Sequence, residues 1–170
     1  MPRIAVYAGS FDPVTLGHLW VMQQGARLFD RMIVAIGTNP GKVGKYMFSE
    51  EERLAMVQET IISHVPGFDD NTAALMGKKF LFQFAKDQGA QYILRGVRNA
   101  ADFEFEKAMA TFNELSGANL STVFLVPPTD KALISSSFVK DLIGYDGWRP
   151  MVSSRVPSPV MERIELRFPE

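Results

Sequence analysis

Short apolar runs that alternate with stretches of helical period constrain this chain more than any other feature. Residues 4–8 (Ile4-Ala5-Val6-Tyr7-Ala8) are continuously apolar and end at Gly9, the pattern of a strand buried on both faces. From about 17 to 29 the period changes, with Leu19, Met22, Ala26, Leu28 and Phe29 recurring at helical spacing. A second buried strand reads over 32–36. Ser49, followed three residues later by Glu52, carries the capping-box signature of a helix that runs to about Ile62. Residues 72–76 read as a third strand, 80–87 as a helix stopped by Gly89, and 91–94 as a fourth strand. A helix over 101–116 and a fifth strand over 122–126 follow, then Pro127-Pro128 and two further helices over 135–143 and 160–166. This order predicts an α/β fold, a doubly wound five-stranded parallel sheet with helices on both faces and right-handed crossovers.

With 170 residues the chain has the usual size of one domain. At that length roughly 70% of the unfolded surface can be buried, so no disulfide or structural metal is needed. The absence of cysteine excludes thiolate metal sites, iron–sulfur clusters and a cysteine nucleophile. Eighteen Lys and Arg against nineteen Asp and Glu leave a net charge of −1, which argues against a dedicated nucleic-acid binder. The apolar run at residues 4–8 is far shorter than a signal peptide core or membrane span, so no membrane role and a cytoplasmic location are expected.

In an open parallel sheet, ligands sit outside the carboxyl ends of the strands. The loops there are 9–17, 37–46, 95–99 and 127–134. The first, Gly9-Ser10-Phe11-Asp12-Pro13-Val14-Thr15-Leu16-Gly17-His18, offers a glycine, a hydroxyl and a Gly-His pair at a helix start, all suited to an anion. Taken alone, Gly17-His18 reads more simply as a packing glycine and a satisfied histidine. Arg95-Gly96-Val97-Arg98 places two guanidinium forks at a strand end, matched to phosphate and equally to the acids Asp102, Glu104 and Glu106. Ser135-Ser136-Ser137 exceeds what capping one helix requires, and Lys42 adds a cation on the second loop. All four signals fall on one edge of one sheet and suit phosphate. The loops hold no carboxylate pair, nucleophile beside a base, or metal-ligand cluster, so the chemistry indicated is positioning and charge neutralisation, as in phosphoryl or nucleotidyl transfer.

Gly9-Ser10-Phe11-Asp12-Pro13 with Gly17-His18, and Ile134-Ser135-Ser136-Ser137, resemble the two signatures of the nucleotidyltransferase superfamily. The Thr15-x-Gly17-His18 form, Arg95-Gly96-Val97-Arg98 with Asp102-Phe103-Glu104-Phe105-Glu106, and the Ser-Ser-Ser-x-Val-Lys ending are similar to the phosphopantetheine adenylyltransferases. The match covers residues 3 to about 143. The resemblance implies a single Rossmann-like domain with a C-terminal helical tail from about 144. It implies transfer of AMP from ATP to 4′-phosphopantetheine with Mg²⁺, no protein metal site, and a homo-oligomer, a hexamer. Carried over by position, Ser10, Phe11, His18, Gly96, Val97, Arg98, Glu106 and Lys131-Ala132-Leu133-Ile134-Ser135-Ser136-Ser137 would contact ATP. Ser10, Lys42 and Arg95 would hold the acceptor phosphate, Leu81 would face the pantetheine arm, and Ser10, His18 and Lys42 would carry the chemistry.

Four places depart from the family pattern. Ser10 stands where Thr is frequent, Leu16 replaces a usual Asn, Phe105 replaces a common Tyr, and residues 67–82 read differently throughout. Two rival readings remain. One is an adenylyl- or cytidylyltransferase with another phosphorylated acceptor, such as nicotinamide mononucleotide or glycerol phosphate. Cytidylyltransferases of the superfamily carry His-x-Gly-His, where this chain has Thr15. The other is a nucleotide-binding regulatory domain without turnover.

Overall fold

The computed structural model describes residues 1–39, 41, 44–68 and 72–169. Five strands, β1 (Ile4–Gly9), β2 (Arg31–Gly37), β3 (Ala73–Gly77), β4 (Tyr92–Gly96) and β5 (Ser121–Leu125), form one all-parallel sheet in the order β3-β2-β1-β4-β5. The connections carry α1 (Leu16–Leu28), α2 (Glu50–His64), α3 (Leu81–Asp87) and α4 (Ala100–Leu115). Beyond β5 come α5 (Thr129–Ala132), α6 (Ser136–Leu142), α7 (Trp148–Ser153) and α8 (Ser158–Arg167). The doubly wound α/β architecture read from the alternation of runs is therefore the one observed.

The apolar runs behave as strands because both sheet faces are covered. Along β1, Ala5 and Tyr7 enter a large core with α1, α2, α7 and α8, while Val6 and Ala8 enter a smaller one with Phe84 and Ala85 of α3. The capping box at Ser49 forms as expected: Glu52 N donates to Ser49 Oγ at 3.2 Å, and Ser49 N donates to Glu52 Oε2 at 2.7 Å. Asn99 caps α4 by accepting from Asp102 N at 2.9 Å.

α5 has no counterpart in the sequence reading, and α7 falls within the helical tail expected from about 144, where the sequence reading has no separate helix. α5 spans four residues, too short for any apolar period. α7 starts behind Gly147 in the left-handed region, φ 75°, where the Gly147 backbone rather than a periodic pattern sets the start. The helical segment after 144 packs on the rest of the domain, with Trp148, Val152, Val160 and Ile164 buried in the larger core.

Because β1 and β4 are neighbours while their following helices lie on opposite faces, the chain parts at their carboxyl ends. That is where a crevice must open.

Candidate active site

The turn after β1 is tied down on every side. Phe11 has a positive φ of 49° and is fully buried. Its ring packs edge-on against Tyr7 at 5.4 Å and against His18 at 5.1 Å. Asp12 is also buried; it accepts from Met47 N at 3.0 Å, Phe48 N at 2.9 Å and Lys140 Nζ at 3.0 Å. One carboxylate thus joins the first loop, the approach to α2, and α6. The Ser10 carbonyl accepts from Arg53 Nη1 at 2.7 Å.

His18 stands third in α1, where a capping box usually has Glu. Its Nδ1 accepts from Thr15 N at 3.1 Å, and its own backbone N–H donates to Thr15 Oγ1 at 3.4 Å. With Nδ1 engaged as an acceptor, the proton of the neutral ring belongs on Nε2. Burial, reinforced by the charge of Arg98, pushes the His18 pKa down to about 4. Near pH 7 the ring is therefore a neutral hydrogen-bond donor, and it cannot serve as a base through Nδ1.

At the exit of β4 both arginines hold carboxylates. Arg95 grips Glu106 through Nε and Nη2, and its Nη1 donates to the Ala8 carbonyl at 2.8 Å. Arg98 Nε donates to Asp102 Oδ2 at 2.7 Å, and its backbone N–H reaches the same oxygen at 3.2 Å. The Arg98 hydrogen bond holds the Asp102 carboxyl below the usual carboxylate range.

The third wall is the segment 127–137. Ser135 Oγ caps α6 by accepting from Phe138 N at 3.1 Å, and Ser136 Oγ donates to the Pro13 carbonyl at 2.8 Å, binding this wall to the first loop. Gly17 lets α1 approach it, since a Cβ there would lie 3.3 Å from the Ile134 carbonyl oxygen and 3.4 Å from that of Lys131.

These walls enclose a cavity of about 290 Å³. Of the site residues anticipated from sequence, Ser10, His18, Arg95, Gly96, Arg98, Glu106, Lys131, Ile134, Ser135, Ser136 and Ser137 line it. Phe11 and Val97 do not, being buried behind it. Ala132, Leu133 and Leu81 also lie outside the lining. Leu133 is exposed, and Leu81 packs on the smaller core. Lys42 lies outside the described residues. Three cations line the space, each beside a carboxylate: Arg95 with Glu106, Arg98 with Asp102, and Lys131 with Asp130 at 3.1 Å. Guanidinium and ammonium donors thus stand beside the held hydroxyls of Ser135 and Ser136.

Sequence reading assigned no role to Asp12, Lys140 or Arg53. Arg53 left a signal: it falls on the stripe 53, 56, 57, 60 and 61 that α2 buries, and a charge on an apolar stripe has an inward purpose.

Residues 6–142 match the family model described as cytidylyltransferase-like. The chain is 41% identical over 166 residues to the phosphopantetheine adenylyltransferase of Chromobacterium violaceum, covering 98% of each sequence. It is 39% identical over 166 residues to that of Latilactobacillus sakei, covering 98% of this chain and 95% of the relative. Among solved structures, the Plasmodium falciparum nicotinic acid mononucleotide adenylyltransferase complexed with APC superposes with a TM-score of 0.68 at 14% identity, over 99% of this chain and 96% of that one. The lipopolysaccharide core biosynthesis protein from Thermoplasma volcanium gives 0.56 at 19% identity, over 74% and 97%. Those two likenesses speak to fold alone. Identity near 40% across essentially the full length of the sequence relatives assigns the family: the chain belongs to the phosphopantetheine adenylyltransferases, a family of nucleotidyltransferases.

Proposed function

We propose that the enzyme transfers the AMP group of ATP to 4′-phosphopantetheine, giving dephospho-coenzyme A and pyrophosphate. An oxygen of the acceptor phosphate attacks the α-phosphorus of ATP. The new phosphoanhydride bond forms as the bond to the β-phosphate breaks, and pyrophosphate leaves with that electron pair. The observation that carries the reading is the state of His18: a neutral ring with its Nδ1 occupied and its Nε2–H left to donate, in a cavity walled by arginines, lysine and serines. Such a group stabilises charge that develops on a phosphoryl oxygen and takes up no proton.

Each wall supplies one part of the task. Arg95 and Arg98 recognise phosphate by exchanging Glu106 and Asp102 for its oxygens, a swap between two bidentate partners. Arg95 and Ser10, with Lys42, serve the acceptor phosphate; Arg98, Lys131 and the serines 135–137 serve the triphosphate. No covalent enzyme intermediate is required. Mg²⁺ would enter this site as a companion of ATP. Such an ion keeps several waters and is held chiefly by substrate phosphates. When bound it neutralises phosphate charge.

Acceptor identity, a cytoplasmic location and assembly into a hexamer complete the proposal. Support for an oligomer comes from α4, which leaves Phe105, Phe112 and Leu115 exposed alongside Phe80, more apolar surface than a monomer usually shows in one place. The test is pyrophosphate release with ATP and a panel of phosphorylated acceptors. Release is expected with 4′-phosphopantetheine. Release with another acceptor and not with this one would overturn the substrate while leaving nucleotidyl transfer in place.

A further inference from the structure

Arg53 is the most deeply buried charge among the described residues, 1% exposed, and no side-chain carboxylate bonds its guanidinium. Its donors go instead to the Ser10 carbonyl at 2.7 Å, the Gly37 carbonyl at 3.2 Å, the Ser49 carbonyl at 3.3 Å and Thr38 Oγ1 at 2.9 Å. Thr38 in turn donates to Glu50 Oε1, and the Tyr46 ring lies 4.4 Å from the guanidinium carbon. One planar fork on α2 thereby joins the exits of β1 and β2. A cation is costly to bury, and a stabilising residue at this place could as well be apolar. What an apolar residue could not supply is a set of donors in fixed directions.

The fork acts where the backbone has least freedom of its own. Phe11 sits in the left-handed region at φ 49°, a conformation that a non-glycine residue keeps only when its surroundings hold it. The Arg53 bond is made to the carbonyl just before that residue, so it fixes the peptide between Ser10 and Phe11 and with it the direction of the Ser10 side chain into the cavity.

We propose that Arg53 is a positioning residue for the transfer reaction, holding the Ser10 turn in register with the Gly37-Thr38 end of β2. The proposal rests on the adenylyl-transfer reading above. Arg53 touches no substrate; it works through Ser10.

The experiment is a double-mutant cycle between Arg53→Lys and Ser10→Ala, with kcat and both KM values measured from pyrophosphate release and folding checked by circular dichroism. Lysine keeps the charge and loses the fork. Arg53→Lys alone should lower kcat on the order of tenfold or more, because small misplacements of an attacking group act steeply on rate. In the Ser10→Ala background the same substitution should cost nothing further. A role confined to stability predicts the opposite, with losses that multiply or a fall in Tm with wild-type kcat, and either result overturns the proposal. So does a Ser10→Ala enzyme with wild-type kcat. Should Arg53→Lys fail to fold, Thr38→Val enters the same cycle, since it removes the hydroxyl beyond Nη2 and leaves the carbonyl bonds; a smaller loss that vanishes beside Ser10→Ala is then expected. A wild-type enzyme that releases no pyrophosphate with any acceptor would overturn the transfer reading itself, whereas active wild type with an equally active Arg53→Lys overturns only the role of Arg53.

Discussion

The two strand ends that form the site hold their side chains in different ways. At the exit of β1, the groups that fasten the site are backbone amides and carbonyls: Thr15 N holds His18 Nδ1, Met47 N and Phe48 N hold Asp12, and the Ser10 carbonyl holds Arg53. At the exit of β4, Arg95 and Arg98 are fastened chiefly by carboxylates, Glu106 and Asp102. A backbone partner cannot leave without moving the chain. A carboxylate can be traded for a phosphate oxygen because both accept the same fork, and the more exposed Arg98–Asp102 pair gives way more readily than Arg95–Glu106. The β1 side thus keeps a geometry, while on the proposed reading the β4 side changes partners when an anion arrives.

If that contrast holds, the largest effect should come from Asp12. Asp12→Ala strands Lys140, the buried Phe48 amide and the part-buried Met47 amide at once, so unfolding stability in urea should fall by about 3 kcal/mol or more. A loss within ordinary surface range, about 0.5 kcal/mol, would mean that the turn is held by something else.

Next in size is His18→Ala. It removes a donor aimed at transition-state charge, so kcat should fall about 10²-fold while ATP binding, followed by calorimetry, survives. Nearly unchanged kcat would end the catalytic role of the ring.

The β4 side should respond in affinity. Arg95→Ala is expected to raise KM for the phosphorylated acceptor, and Arg98→Ala KM for ATP, each roughly tenfold and each with less effect on the other substrate. Equal shifts in both constants for both variants would show that the two arginines serve one phosphate.

The smallest expected signal is a titration. Because the folded-state pKa of His18 is about 4 against an ordinary 6.5, the unfolded chain takes up this proton first as pH falls. The contribution to stability is complete above about pH 6.5 and declines as pH drops toward 4. In NMR the ring resonances of His18 should stay in the neutral position at pH 5; a midpoint near 6.5 would place the ring in water and remove the basis for its donor role.

Much of the site is legible in the residues themselves, and what escapes has a common cause. The capping box at Ser49 and Glu52 forms within four residues, and the match of Arg95 and Arg98 to the acids of the next helix spans about a dozen. Both are readable because chain connectivity already brings the partners close. Phe11, Val97, Ala132 and Leu133, which the family resemblance carries over by position, stand outside the cavity lining.

What the sequence determines by itself is therefore the kind of each segment and the edge of the sheet where chemistry gathers. Apolar period, caps and glycine stops act over a few residues, and strands that alternate with helices leave a parallel sheet as the packed solution. What the tertiary structure alone decides is which distant groups share one space. The order β3-β2-β1-β4-β5 sets the exits of β1 and β4 side by side. It brings Arg53 to a carbonyl 43 positions earlier and Lys140 to a carboxylate 128 positions earlier. No local pattern encodes those meetings. They follow from burying both faces of the sheet at once, after which a buried charge must satisfy its donors with whatever backbone the packing has placed within reach.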